Sequence, residues 1–372
     1  MTIISTTDDS INNNKSPRKN RKENSSPKNI VSLKSDSTLL DQQFEPSLRP
    51  QNFNQYIGQS RLKELLRVCI GAAKKRGDLT SVGHLLLYGS PGLGKTSCAL
   101  ILASEMETEA KIFSAPALAQ PKDIIGVLLS LSVGNVLFID EIHRLNKITE
   151  ELLYSAMEDY VLDLTVGKSQ AARVTRLPIT RFILVGATTR LGALSSPLRD
   201  RFTHVYKMEF YNCEELVQII ENTSRVLKFE ITRDAALEIA KRARGTPRIA
   251  NRLTRLVRDY SQHENISPTK KEDTIAALEL FKVDPNGLEE SDKQLLRTIA
   301  ENYGGGPVGI EALAATLGEE RQTVEDCYEP YLLQAGFLTR TTRGRTITEA
   351  AYEYLGLKKK NNKDTSQLKI DI

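Results

Sequence analysis

A chain of 372 residues is too long for one core of ordinary size and divides into two or three domains. With 40% hydrophobic and 26% charged residues it has the composition of a soluble globular protein, and a formal charge of only +4 excludes a global basic field, so any nucleic-acid contact must come from local Lys and Arg clusters. Cys69, Cys98, Cys213 and Cys327 form no CxxC pair and, like the four scattered histidines, argue against a zinc site or a disulfide framework and for a reducing, cytoplasmic setting.

Residues 1–44 are rich in Ser, Asn, Lys and Asp and cannot bury enough apolar surface to offset ordering entropy. They read as a disordered tail, and Asp8 and Asp9 speak against an organelle transit peptide. No apolar run approaches the ~18 residues of a membrane helix.

From about Pro46, short apolar runs alternate with helical patterns. His84–Tyr88 reads as a buried strand, Thr96–Met106 as a helix, and Lys111–Ser114, Val136–Asp140 and Arg181–Val185 as further strands. Strands this apolar, separated by helices, predict a parallel sheet covered on both faces. Val161–Pro178 breaks the pattern: two alternating runs flank Gly167-Lys168, which predicts an inserted hairpin. Asn212–Lys282 is helical throughout, with stripes at Leu216, Ile219, Ile220 and at Ala236, Ile239, Ala240; Thr246-Pro247 opens a further helix there, Thr as N-cap. After the turn Asp284–Gly287, helices at 291–302, 309–317 and 319–335 precede a segment, Phe337–Ile347, that can fold back at Gly344, the pattern of a winged helix. The residues from Lys358 are charged and terminal.

Gly89-Ser-Pro-Gly-Leu-Gly-Lys95-Thr96 fits G-x-x-x-x-G-K-[ST] and lies between a predicted strand and a predicted helix. Its glycines let backbone N–H groups converge on phosphate oxygens, and the helix N-terminus adds a favourable dipole. Lys95 is placed to reach the β- and γ-phosphates of ATP, and Thr96 to offer its hydroxyl to Mg²⁺. Asp140 and Glu141 end an apolar strand at the edge where open α/β sheets bind ligands. Asp140 is expected to hold Mg²⁺, directly or through water, and Glu141 to orient and activate the attacking water. Thr189, in Gly186–Arg190, is expected to meet that water or the γ-phosphate, although turn chemistry explains Thr188-Thr189 equally well. Ser196 and Pro197 open a short helix, Ser196 as cap, that carries Arg199 and Arg201; these are ordinary surface residues unless Arg201 enters a neighbouring subunit's site. Arg248 lies in the first turn of its helix, where the dipole disfavours a cation, which suggests an anion outside the helix; the bland reading is a solvated face shared with Arg252 and Arg255.

The set Gly89–Thr96, Phe138–His143, Gly186–Arg190, Pro197–Phe202 and Gly245–Arg248 resembles the AAA+ ATPases. Met157–Tyr160, Arg242–Arg252, Gly305–Gly309 and Gly336–Arg345 narrow the resemblance, over about 46–356, to the RuvB family of Holliday junction branch-migration motors. It implies an α/β fold: a large AAA+ P-loop domain with a parallel sheet (45–211), a small helical lid domain (212–283) and a C-terminal winged-helix head (284–357), between tails 1–44 and 358–372. It implies a homohexameric ring that pulls duplex DNA arms from a four-way junction, with a RuvA-like partner docking on the hairpin 161–178 and a RuvC-like resolvase. By position, Leu48, Arg49, Gly92, Lys95, Thr96, Ser97, Glu158, Asp159, Tyr160, Tyr211 and Arg248 match nucleotide contacts. Arg201 matches an arginine finger, and Arg321, Arg340 and Arg345 match DNA contacts of the head. Ser90 stands where the family usually has Pro, and the N-terminal tail is longer than expected.

Arg340, Arg343 and Arg345 around Gly344 would in any case make a basic wing tip, suited to phosphates rather than base edges. A clamp loader or replication initiator is the nearest alternative. A protein unfoldase is the other, and it would want an aromatic pore loop, which Pro116–Val133 lacks.

Overall fold

The structure is a computed structural model that describes residues 48–166 and 173–357. The tails 1–44 and 358–372 and the turn Gly167-Lys168 lie outside the described residues.

The large domain is built on five parallel strands, β1 Leu85–Tyr88, β2 Ala110–Ser114, β3 Val136–Asp140, β6 Ile183–Thr188 and β7 His204–Lys207, in the order β2-β3-β6-β1-β7. Their side chains alternate between two cores. Leu85, Leu87, Val136, Phe138, Ile183 and Val185 pack with the helices Ser60–Arg76 and Lys95–Glu105. Leu86, Leu137, Ile139 and Leu184 pack on the other face with the helices Pro121–Leu129 and Lys147–Glu158. Both faces being covered is why these strands are apolar at every position, and each buried Leu or Ile contributes roughly 1.5–3 kcal/mol.

Two expectations about the sheet are corrected. The fifth strand, β7, was not predicted: it is an edge strand whose exposed and half-buried residues alternate, so it carries no apolar run. β6 starts and ends later than Arg181–Val185, extending through Gly186-Ala187-Thr188. A Cβ at Gly186 would lie 3.0 Å from Ile142 and Phe202 side-chain atoms, so a larger residue there would push on both.

β4 Val161–Val166 and β5 Arg173–Pro178 pair antiparallel as a separate two-stranded ribbon, as the alternation predicted. The lid comprises the helices Cys213–Val226, Arg233–Arg242, Pro247–His263 and Lys271–Leu280. Leu216, Ile220, Ala236, Ile239, Leu253 and Val257 join the core of the first sheet face, which fixes the lid beside the loop at 89–96. Two caps differ from expectation. Ser195, not Ser196, accepts from Leu198 N–H and caps the helix Ser196–Asp200. Thr246 precedes its helix but donates its hydroxyl to Arg244 O instead of capping.

The head contains the helices Glu290–Asn302 and Ile310–Leu317 and the strands β8 Leu338–Thr341 and β9 Gly344–Ile347 around one core. The predicted helix 319–335 is interrupted: Arg321–Thr323 leads into a π turn, Val324–Tyr328, and then Glu329–Gln334. A last helix, Glu349–Leu355, was also not anticipated; Ala351 and Tyr352 bury it against the head core.

Candidate nucleotide site

The loop Gly89–Thr96 leaves the C-terminal end of β1 and enters the helix Lys95–Glu105. Gly89, Gly92 and Gly94 all have positive φ, at 144°, 79° and 94°. Gly92 is also held by close approach: a Cβ there would lie 2.7 Å from Thr246 Cγ2 and 3.0 Å from Arg248 Cβ. The first turn of the lid helix Pro247–His263 therefore sits directly on the loop, with the Arg248 side-chain carbons beside Gly92. Beneath the loop, the buried Tyr211 donates from its hydroxyl to Leu93 O at 3.3 Å. Tyr56, which the sequence did not single out, reaches Gly94 O at 3.5 Å. Burial raises both phenols, Tyr211 to about 12, so both remain neutral donors.

Lys95 is buried and donates to Gly89 O at 2.8 Å and Ser90 O at 2.9 Å. Burial lowers its pKa, against the pull of Asp140 and Glu141. Those carboxylates end β3, which β6 separates from β1. Because the strands are parallel and in register, Asp140, Thr188 and Tyr88 finish at one edge of the sheet, beside the loop. Glu141 turns out of the strand at φ 52°, with its N–H on Asp140 Oδ1 at 3.0 Å. Burial first, and the Asp140 charge second, raise the Glu141 pKa, as expected for a carboxylate that handles protons.

His143 is a part of this edge that sequence reasoning missed. Its side chain is 5% exposed, with Nε2 3.4 Å from Glu141 Oε2 and Nδ1 2.8 Å from Thr188 Oγ1. Its signal was its place in the run Asp140–His143, next to the carboxylates. Thr188 is fully buried and committed to His143 and Arg190 N–H, whereas Thr189 lines a cavity of about 500 Å³ with Tyr88, Gly89 and Ser90.

Other predicted residues lie elsewhere. Arg49 lines a smaller cavity against Leu100 and Ser104, late in the loop's helix, and Leu48 begins the same segment. Those helix positions stand about 7–14 Å along the axis from Lys95, beyond phosphate reach. Tyr160 packs against His84 and Phe182, the residues that precede β1 and β6, at the opposite edge of the sheet from the loop. Its neighbour Glu158 accepts from Arg201 at 2.9 Å, and the Arg201 guanidinium stacks 4.5 Å from the Tyr154 ring. Glu158, Asp159, Tyr160 and Arg201 thus share a face remote from their own chain's loop. Thr96 and Ser97 follow Lys95 in the helix, both half-buried.

The head arginines also depart from expectation. Arg340 and Arg345 face each other across β8 and β9 and both grip the buried Glu329; Arg345 Nε is 2.6 Å from its carboxylate and also engages Glu325. Arg321 pairs with Glu311 at 2.6 Å and with Glu325. Of the three wing arginines, Arg343 alone stands in the exposed turn between the strands.

Comparison with known proteins covers the described chain. Residues 48–208 match the model of the Holliday junction DNA helicase RuvB P-loop domain, 211–284 the RuvB AAA lid domain, and 285–356 the RuvB C-terminal winged helix domain. The chain is 52% identical to the Holliday junction branch migration complex subunit RuvB of Nostoc punctiforme, over 96% of this chain and 97% of that one. It is 54% identical to the corresponding subunit of Synechocystis sp., over 93% and 95%. Among solved structures, the Thermotoga maritima RuvB Holliday junction branch migration motor superposes with a TM-score of 0.76 at 48% identity, covering 84% of this chain and 99% of that one.

Proposed function

The chain belongs to the RuvB family of P-loop ATPases, and from that we propose that it is a DNA motor that drives Holliday junction branch migration by hydrolysing ATP. The observation that carries the reading is the meeting, at one sheet edge, of the loop at 89–96, the carboxylates Asp140 and Glu141, and Arg248 of the lid on Gly92. Lid movement at that contact is a direct route from phosphate chemistry to motion.

The residues fit Mg²⁺. Among the described residues no cluster of three or more His, Cys, Asp or Glu could hold a metal alone. Mg²⁺ does not need one, since it binds one or two protein groups together with phosphate oxygens. Thr96 and Asp140 would hold it, and it would neutralise charge on the β- and γ-phosphate oxygens. Lys95 exchanges its loop carbonyls for phosphate oxygens, and Gly92, Thr96 and Ser97 present backbone N–H groups. Glu141 orients the water that attacks the γ-phosphorus as the bond to the bridging oxygen of ADP breaks. Thr189 meets the γ-phosphate or that water from the cavity wall, and Arg248 contacts the γ-phosphate from the lid.

Glu158, Asp159, Tyr160 and Arg201 serve a neighbouring subunit's nucleotide, which is consistent with their face lying away from their own loop. That placement supports heterologous contacts between subunits, which close here as a homohexameric ring. Leu48, Arg49 and Tyr211 are assigned to the nucleotide by the family match, Tyr211 acting from beneath the loop through Leu93. The ribbon β4–β5 docks a RuvA-like protein, a RuvC-like resolvase follows, and the head arginines meet duplex phosphates, Arg343 first.

The test is to incubate the chain with a synthetic four-way junction, ATP, Mg²⁺ and a RuvA-like protein. Duplex products should appear with the native chain and vanish with Glu141→Gln. Hydrolysis accompanied by clamp loading or protein unfolding, with no duplex products, would overturn the motor reading.

A further inference from the structure

The edge of the large domain that holds Glu141 is also touched by the head. The π turn Val324–Tyr328 carries Glu325 and Asp326 side by side, and π turns are frequent at functional sites. Glu325 stays within the head, accepting from Arg321 and Arg345. Asp326 reaches the large domain, its Oδ2 3.5 Å from Arg190 Nε. Both side chains are partly shielded, 24% and 35% exposed. Glu325, Asp326 and Pro330 also wall the cavity that Gly89, Ser90 and Thr189 line from the other side.

From Arg190 the contacts continue inward without a break. Its backbone N–H donates to Thr188 Oγ1 at 2.9 Å. Thr188 Oγ1 is 2.8 Å from His143 Nδ1, and His143 Nε2 faces Glu141 Oε2 at 3.4 Å. One neutral tautomer accommodates these contacts: the Thr188 hydroxyl donates to Nδ1, which leaves the ring proton on Nε2, 3.4 Å from the Glu141 carboxylate. Burial lowers the His143 pKa and so favours that neutral form. The sequence by itself assigned His143, Arg190 and Asp326 no role of their own.

We propose that Asp326 of the head is a positioning residue for ATP hydrolysis, acting through Arg190, Thr188 and His143 on the orientation of Glu141. The proposal deepens the reading above and rests on Glu141 aligning the attacking water. It also gives the head arginines a route to the site. Arg321 and Arg345 hold Glu325, and Glu325 is the residue next to Asp326 on the same turn.

The experiment is steady-state ATP hydrolysis by the full chain with Mg²⁺, with and without duplex DNA, for the native chain, Asp326→Asn, Arg190→Gln, the double variant and Asp326→Glu. Misplacement by an ångström can cost about 10²-fold, so a smaller shift of Glu141 should lower kcat about tenfold in each single variant while KM stays within about twofold. The double variant should be no slower than the slower single one, because both interrupt one path. Asp326→Glu, which keeps the carboxylate, should retain most of the activity, and thermal unfolding midpoints of all variants should match the native chain. An unchanged kcat in Asp326→Asn, or multiplying losses in the double variant, would overturn the proposal. Failure of the motor reading looks different: the native chain hydrolyses ATP without processing junctions, and the kcat comparison still decides the role of Asp326.

Discussion

Arg345→Ala distinguishes a buried structural arginine from a free DNA contact. Glu329 is fully buried and accepts from Arg345 Nε at 2.6 Å and Arg340 Nε at 2.8 Å. The Arg345 side chain is 12% exposed and that of Arg340 50% exposed. Removing one partner from a buried ion pair costs about 3–5 kcal/mol when the remaining charge has no other counterion. Here Arg340 stays, half in water, so about half of that penalty, roughly 2 kcal/mol, is the expected loss. In a domain of the head's size each kcal/mol moves the midpoint by about 4–8 °C. The head's unfolding transition should therefore fall by about 8–16 °C in differential scanning calorimetry of the full chain. Arg343→Ala, in the exposed turn, should leave that transition in place and weaken duplex binding, with a shallower salt dependence. If Arg345→Ala leaves every transition within a degree or two and still weakens duplex binding, the Arg345–Glu329 pairing is not the state that matters and the reasoning is wrong.

Three other outcomes are expected. Gly92→Ala should cost about 1–2 kcal/mol in backbone conformation alone and push the lid off the loop, weakening ATP roughly tenfold or more in a fluorescent-nucleotide titration; native affinity would contradict the close approach of Thr246 and Arg248. Glu141 must be ionised to act and its pKa in the nucleotide-free chain is raised, so kcat/KM should fall on acidification with a midpoint above the ordinary glutamate value of about 4.3; a midpoint at or below that value would count against its buried setting. Mixed rings of Arg201→Ala and Glu141→Gln subunits should regain hydrolysis at roughly a quarter of their interfaces, measured by phosphate release, and the absence of any recovery would show that Arg201 does not act on a neighbour.

Sequence reading reached the nucleotide loop and Asp140-Glu141 because their residues are contiguous and their neighbours are a strand and a helix of plain character. It reached β1 and β3 because burial on both faces leaves an unbroken apolar run. It missed β7, where an edge position half-buries His204 and Tyr206 and exposes Val205 and Lys207, so no apolar run marks it. It missed the π turn, since one extra residue in a helical ring leaves no mark on periodicity over so short a span. Tyr56 and His143 escaped for another reason: a lone Tyr or His is informative only once its partners, Gly94 O, Glu141 and Thr188, are known.

What the sequence by itself determined is the local chemistry: a phosphate-binding loop, two carboxylates at a strand end, an arginine at a helix start, and a head rich in charge. These depend on residue type and short spacing, which the chain carries directly. The tertiary structure decided which charges meet. It seated Arg248 on Gly92, turned Glu158, Tyr160 and Arg201 away from their own loop, and folded Arg340 and Arg345 inward onto Glu329. The physical reason is that a buried carboxylate must find its counterion wherever packing places one, and packing is settled by contacts between residues far apart in the chain.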